Sequence, residues 1–158
     1  MIFVTLGSQK FQFNRLLVEI DKLIADGIIK EQVFAQTGYS DYKPLNYQYK
    51  NFLNQEEFNK YLETCDKVIT HGGTGAIVGA LKKEKKIVAV PRLKIFEEHV
   101  DDHQVEIITE FCKSGFIMSI IEDKSLGECL VELEDFRVKK YISNTNNIVN
   151  MINSFINK

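Results

Sequence analysis

Apolar residues in this chain follow two spacings. Short unbroken or nearly unbroken runs occur at Ile2–Leu6, Val33–Ala35, Val68–Ile69 and Ile87–Val90, each followed closely by glycine, threonine or proline. Such runs read as buried strands. Between them the spacing changes to three and four. Phe13, Leu16, Leu17, Ile20, Leu23 and Ile24 make one apolar helical face that closes at Asp26-Gly27. Asn54 is placed to cap a helix over Gln55–Thr64 with Phe58, Tyr61 and Leu62 inward.

Farther along, the Val68 run enters Thr70-His71-Gly72-Gly73-Thr74-Gly75 and then a helix from Ala76 to Lys83. Asp101 or Asp102 opens a helix with Val105, Ile108 and Phe111 in register, ending at Ser114-Gly115. Phe116–Ile121 reads as a last strand, and Ile148, Met151, Ile152, Phe155 and Ile156 as the stripe of a last helix. Tyr39–Lys50, with Pro44 inside it, reads as a loop leading to a short strand near Tyr47–Phe52. The polar stretch at Asn144, Asn146 and Asn147 suits a hinge or a turn before the last helix.

Strands that alternate with helices, and are apolar throughout rather than every second residue, predict an α/β fold: a parallel sheet covered on both faces. In that architecture a ligand binds beyond the carboxyl ends of the strands. Gly7-Ser8-Gln9, the His71–Gly75 turn and Pro91-Arg92 all fall at such ends. The glycine turn is the organising stretch. Glycine lets the backbone approach a ligand, and a helix beginning there aims free N–H groups and a positive dipole end at it. That is a place for a phosphate. The pattern is neither GxGxxG nor GxxxxGK[ST], so a ligand-free strand–helix connection stays open as the lesser reading of the turn by itself.

The totals narrow the field. A length of 158 residues predicts a single domain over 1–158. A net charge of -2 gives no electrostatic reason to expect nucleic acid. No apolar run is long enough to span a bilayer, and Met1–Leu6 lacks the basic start of a signal peptide, which places the expected location in the cytoplasm. Cys65, Cys112 and Cys129 show no metal spacing and read as packed thiols.

Candidate chemistry gathers near the turn. His71 is placed to donate to a phosphate oxygen and Thr74 to add a hydroxyl. Arg92, just after Pro91, offers a guanidinium suited to a diphosphate, or a solvated surface charge. Glu97-Glu98-His99 and Asp101-Asp102-His103-Gln104 form a dense polar cluster. It has donors for a metal, but helix-start and sugar hydrogen-bonding roles use the same residues, and neither a metal nor a cofactor is expected.

Met1–Ser8, Thr70–Gly75 and Val90-Pro91-Arg92 with Glu98–Gln104, taken together and in order, resemble the family-28 glycosyltransferase C-terminal domain family. More narrowly they are similar to the small bacterial capsular and exopolysaccharide transferases of the PssE type. The resemblance covers residues 1 to 121. It implies the nucleotide-sugar half of a GT-B enzyme that performs an inverting, metal-independent transfer from a UDP-sugar to a sugar on a polyprenyl diphosphate. A separate membrane-associated subunit would supply the acceptor half and recruit the chain to the inner face of the membrane. Carried over by position, Gly7, Ser8 and Gln9 would line the cleft, and Phe52 and Leu53 would hold the uracil. His71, Gly72, Gly73, Thr74, Gly75 and Arg92 would face the diphosphate, and His103 and Gln104 the donor sugar.

Two positions depart from the family's pattern. Ala76 stands where related turns carry serine, and Gly79 where they often carry a glutamate for the ribose. A non-catalytic accessory subunit with a degraded nucleotide site therefore stays open as an alternative, as does a homodimer of the isolated chain. An NAD- or flavin-binding domain is disfavoured, because no GxGxxG follows the first strand.

Overall fold

A computed structural model describes residues 1–121, 124–144 and 153–154. The elements run β1 (Ile2–Thr5), α1 (Asn14–Ala25), β2 (Val33–Gln36), β3 (Gln48–Lys50), α2 (Gln55–Thr64), β4 (Lys67–Thr70), α3 (Thr74–Lys82), β5 (Lys86–Ala89), α4 (His103–Lys113), β6 (Met118–Ser119) and α5 (Leu126–Glu132). A single turn of 3-10 helix, Lys94–Phe96, interrupts the β5–α4 connection. All strand pairings are parallel, in the order β3-β2-β1-β4-β5-β6.

The strands are buried from end to end where the sequence is unbroken and apolar. Alternate side chains of β1 feed opposite faces. Ile2 and Val4 join Leu16, Leu17 and Ile20 of α1 and Leu126, Cys129 and Leu130 of α5 in one core. Phe3 joins Leu62 of α2, Ile77 and Ala80 of α3 and Ile108 of α4 in the other. Phe3 and Phe34 are sandwiched with Tyr61, whose ring stacks 3.8 Å from that of Phe34. Cys65 and Cys129 are buried thiols, and burial pushes the Cys65 thiol up to about 11, far from reactivity at neutral pH.

Caps set most boundaries. Asn54 accepts from the Glu57 amide at 2.8 Å and so caps α2 as the sequence predicts; the Glu57 carboxylate accepts from the Asn54 amide and completes a capping box. Ser125 and Glu128 make the same box for α5. That helix has no counterpart among the predicted elements. Its signal is present in Ser125, Glu128 and the apolar series Leu126, Cys129, Leu130 and Leu133, but it spans only two turns. The last predicted strand shrinks to Met118–Ser119, an edge pairing with Val88 and Ala89 alone. The last predicted helix, from Ile148 to Ile156, lies outside the described residues except for residues 153–154, which are helical.

The strand order matters for function. From β1 the chain winds one way to β2 and β3, then returns to β4 and winds the other way. Loops leaving the carboxyl ends of β1 and β4 diverge, and a crevice opens between them.

Candidate functional site

The crevice at the β1/β4 switch point is a cleft of about 420 Å³, within the usual range for small-molecule sites. Its floor is the carboxyl end of the sheet, with Thr5 and Gln36. One wall is the β1–α1 loop at Gly7, Ser8 and Gln9. The other is the start of α3 at Gly73, Gly75 and Ala76, and Leu53, Asn54, Gln55 and Phe58 close the end. Helix α3 begins after Gly73 with no side-chain cap. The Ala76 amide donates back to the Gly73 carbonyl at 3.1 Å, which leaves the Thr74 and Gly75 N–H groups without intrahelical acceptors, and the helix dipole adds positive potential there. The cleft wall is therefore a built-in anion cradle.

The glycines around it do different jobs. Gly7 has φ +73, and a Cβ on it would lie 2.6 Å from the His71 ring. A Cβ on Gly73 would lie 2.3 Å from His71 Nε2. The imidazole is thus wedged between two glycine backbones, and only glycine fits on either side. Gly72 faces the other way, where a Cβ would meet Gln104 Cβ at 2.7 Å, so it lets α4 close onto the turn. Gly75 is open to the cleft.

His71 is buried, with its Nδ1 3.4 Å from the Thr5 carbonyl oxygen. Burial first, and the Arg92 charge second, push its pKa down to about 4. At neutral pH the ring is therefore uncharged. In the neutral tautomer with its proton on Nδ1, facing the Thr5 carbonyl, Nε2 presents a lone pair at the glycine wall; in the other neutral tautomer Nε2–H is the donor. The folded-state pKa lies below the ordinary 6.5, so the neutral ring contributes stability that is present above pH 6.5 and lost as pH falls toward 4. At ~1.4 kcal/mol per pH unit the loss reaches about 3 kcal/mol. Denaturant unfolding at pH 7 and pH 4.5 should show a smaller acid-side loss in His71→Gln than in the parent. Equal losses would contradict this account of the histidine.

Not every residue expected at the site reaches it. Gly7, Ser8, Gln9, Leu53, His71, Gly73 and Gly75 line the cleft. Arg92 does not. Its side chain is fully buried, its Nη2 donates to the Leu6 carbonyl at 2.8 Å, and its guanidinium lies over the Phe13 ring. Burial lowers its pKa to about 10, which still leaves it charged, and Nε and Nη1 lack protein partners. Arg92 braces the β1–α1 loop from below. Gln104 also turns inward, its Oε1 accepting from the Arg92 amide at 3.0 Å. His103 sits at the α4 start against Asp101. Thr74 borders a separate groove beside Glu106 and Ile107. The Phe52 ring stands edge-on to Tyr39, beside the cleft rather than in its wall.

Sequence reasoning did not single out Thr5, Gln36, Gln55 and Phe58 as cleft residues. Polar residues closing otherwise apolar strands were the signal for the first pair. It also missed Arg15, which reaches from α1 to grip buried Glu98 through both oxygens at 3.0 and 2.8 Å and donates to the Pro91 carbonyl. Glu98 in turn accepts from the Leu93 amide. This ties the β5–α4 connection to α1 behind the cleft.

Fold and cleft together define a class: a Rossmann-like α/β domain with an uncapped, glycine-walled helix start at its switch point. The chain belongs to the glycosyltransferase family 28 C-terminal domain family, whose sequence profile matches residues 1–157. Among curated relatives it is similar to the UDP-N-acetylglucosamine transferase subunit ALG13 of Debaryomyces hansenii. Identity is 24% over 136 residues, covering 80% of this chain and 64% of the relative. The same subunit of Candida albicans is 34% identical over 65 residues, covering 41% of this chain and 21% of the relative. The human one is 25% identical over 136 residues, covering 73% and 10%. The chain thus spans between 10% and 64% of the length of these relatives.

Solved structures agree on the fold. An ALG13 solution structure superposes with a TM-score of 0.56 at 16% identity, covering 96% of this chain and 93% of the other. The glycotransferase of kitacinnamycin gives 0.58 at 20% identity, covering 84% of this chain and 34% of its own. MurG of Acinetobacter baumannii gives 0.55 at 19% identity, covering 85% and 40%.

Proposed function

We propose that this chain is the UDP-sugar-binding subunit of a two-component inverting glycosyltransferase. The observation that carries the proposal is the anion cradle at the switch point, an uncapped α3 start walled by Gly73 and Gly75 and facing Gly7 and Ser8. A diphosphate placed there meets N–H donors at the moment it becomes a leaving group, which is where such donors lower a barrier. The similarity to UDP-N-acetylglucosamine transferase subunits supports both the donor class and the role as a subunit. The finer reading is extension of a polyprenyl-diphosphate-linked sugar in capsular or exopolysaccharide synthesis. It rests on the ordered sequence blocks at 1–8, 70–75 and 90–104 alone.

The cleft supports a split enzyme in a second way. Among the described residues no Lys, Arg, Asp or Glu lines it. Inverting transfer needs a base for the acceptor hydroxyl. His71, depressed to about 4, is too weakly basic at neutral pH to serve well. The base, and further positive charge for the diphosphate, are therefore contributed by the acceptor-binding subunit. Among the described residues no helix is long and apolar enough to cross a membrane; membrane attachment through that subunit rests on the family resemblance alone. The purified chain with UDP-sugar and acceptor should show little transfer, and adding the partner subunit should restore it. Full transfer by the single chain would contradict the division of labour.

One alternative has its own observation. The uncharged cleft, with Ala76 in its wall and nothing within 4 Å of a Cβ built on Gly79, suits an accessory subunit that steers an active transferase without binding nucleotide. Calorimetry separates the two: absence of binding at millimolar UDP favours the accessory role.

A further inference from the structure

In the β5–α4 connection, just after Glu98 of the Arg15 clamp, three side chains with metal-ligand chemistry converge. His99, Asp101 and His103 each offer one donor atom, and these atoms lie within 4.8 Å of one another. His99 Nδ1 is 3.1 Å from Asp101 Oδ1, and His103 Nδ1 contacts the same oxygen. We propose that His99, Asp101 and His103 form a three-ligand site for a divalent transition metal, with one coordination position left open.

The donor set selects the ion. Two imidazole nitrogens with one carboxylate oxygen suit Zn²⁺ and its neighbours in the first transition row, whereas Mg²⁺ and Ca²⁺ take oxygen ligands. Three protein ligands and a free position is the open type of zinc coordination. The alternate spacing places all three residues on one turn leading into α4, with His103 its first residue.

The backbone on either side is already fixed, which a metal site needs. Glu98, next to His99, is buried and gripped by Arg15. Asp102, between Asp101 and His103, accepts from the Lys94 amide at 2.8 Å through Oδ1. His99 is itself buried, its ring packed 4.8 Å from that of Phe11 and 4.9 Å from that of His103. Asp101 and His103, which open to admit an ion, are both exposed, and the ion would replace the 3.4 Å contact between the Asp101 amide and His99 Nδ1. In the ion's absence the Asp101 carboxylate also accepts from the His103 amide at 3.2 Å, a helix-start role it could keep through one oxygen. The bound ion would join the connection to the first turn of α4, one residue before Gln104, which holds the Arg92 amide. The proposal departs from the expectation of a metal-free chain and is independent of what the glycine-walled cleft binds.

The test is uptake by the purified, chelator-treated full chain. Equilibrium dialysis against micromolar Zn²⁺ should give one equivalent per chain, and Co²⁺ should give visible d–d bands of a low-coordinate nitrogen–oxygen site. Mg²⁺ at the same concentration should not compete. Asp101→Asn and His103→Gln, checked for folding by circular dichroism, should each weaken Zn²⁺ by more than the roughly 10–100-fold that loss of an outer partner costs. A Cys112→Ser control should bind as the parent does. Failure to retain Zn²⁺ would overturn the proposal. So would retention undiminished in the double variant Asp101→Asn/His103→Gln, or loss in Cys112→Ser.

Discussion

Gly73→Ala is expected to remove UDP binding from a chain that still folds. The new Cβ would sit 2.3 Å from His71 Nε2 and 2.8 Å from Cε1. The ring cannot retreat toward Gly7, where the backbone already approaches so closely that a Cβ would lie 2.6 Å away. Either the imidazole is driven into the cleft or the turn moves off the α3 start. Both displace the N–H groups that we propose meet the diphosphate. A loss of about 100-fold in affinity, or ~2.8 kcal/mol, is the expected size, beside an overpacking cost to the fold of roughly 1–3 kcal/mol. Gly72→Ala supplies the contrast. Its Cβ would strike Gln104 Cβ at 2.7 Å on the far side of the turn, so it should lower stability by a similar amount while sparing affinity in the fraction that folds. Calorimetry with UDP, paired with denaturant melts, reads both. Equal affinity losses in the two variants would contradict the assignment of Gly73 to the cleft wall and Gly72 to packing.

Arg15→Ala carries the second large effect, this time on stability. Glu98 has 1% of its side chain exposed, against 30% for Arg15. Removing the arginine leaves a buried carboxylate with the Leu93 amide as its remaining hydrogen-bond donor. Breaking a buried pair from one side costs about 3–5 kcal/mol, and the exposure of Arg15 puts this case at the low end. The loss should shrink in Arg15→Ala/Glu98→Gln, because a neutral amide is less costly to leave buried than a charge. Chemical denaturation of the single and double variants measures it. A cost below about 1 kcal/mol for Arg15→Ala would place the pair among ordinary surface bridges.

How much of this was legible in the sequence depends on where each residue's partners lie. The strands and α1 to α4 were readable because their signals are local: unbroken apolar runs, helical periodicity, and Asn54 before Gln55. The parallel sheet followed from the alternation of those elements, and the cleft from the glycines at strand ends. Side-chain direction was not readable. Arg92 follows a strand end as a ligand-binding arginine would, yet its guanidinium runs under the β1–α1 loop to the Leu6 carbonyl, a contact 86 residues away in sequence. Gln104 is turned the same way by the Arg92 amide, and His103 by Asp101 two residues before it. Arg15 offered no signal at all, since its meaning comes entirely from Glu98, 83 residues on. Helix α5 was within reach, because Ser125 and Glu128 spell a capping box, but a helix this short weighs little in periodicity alone.

On the function proposed above, a nucleoside diphosphate is held at the start of α3, between the ends of β1 and β4. The most direct measurement is a UDP titration of the isotopically labelled chain, following backbone amide resonances. The account predicts the largest shifts at Thr74, Gly75 and Ala76, with Gly7 and Ser8 following across the cleft, and the same saturation curve for all of them. Amides of the α3 start that stay unmoved at millimolar UDP, or shifts confined to another surface, would contradict it.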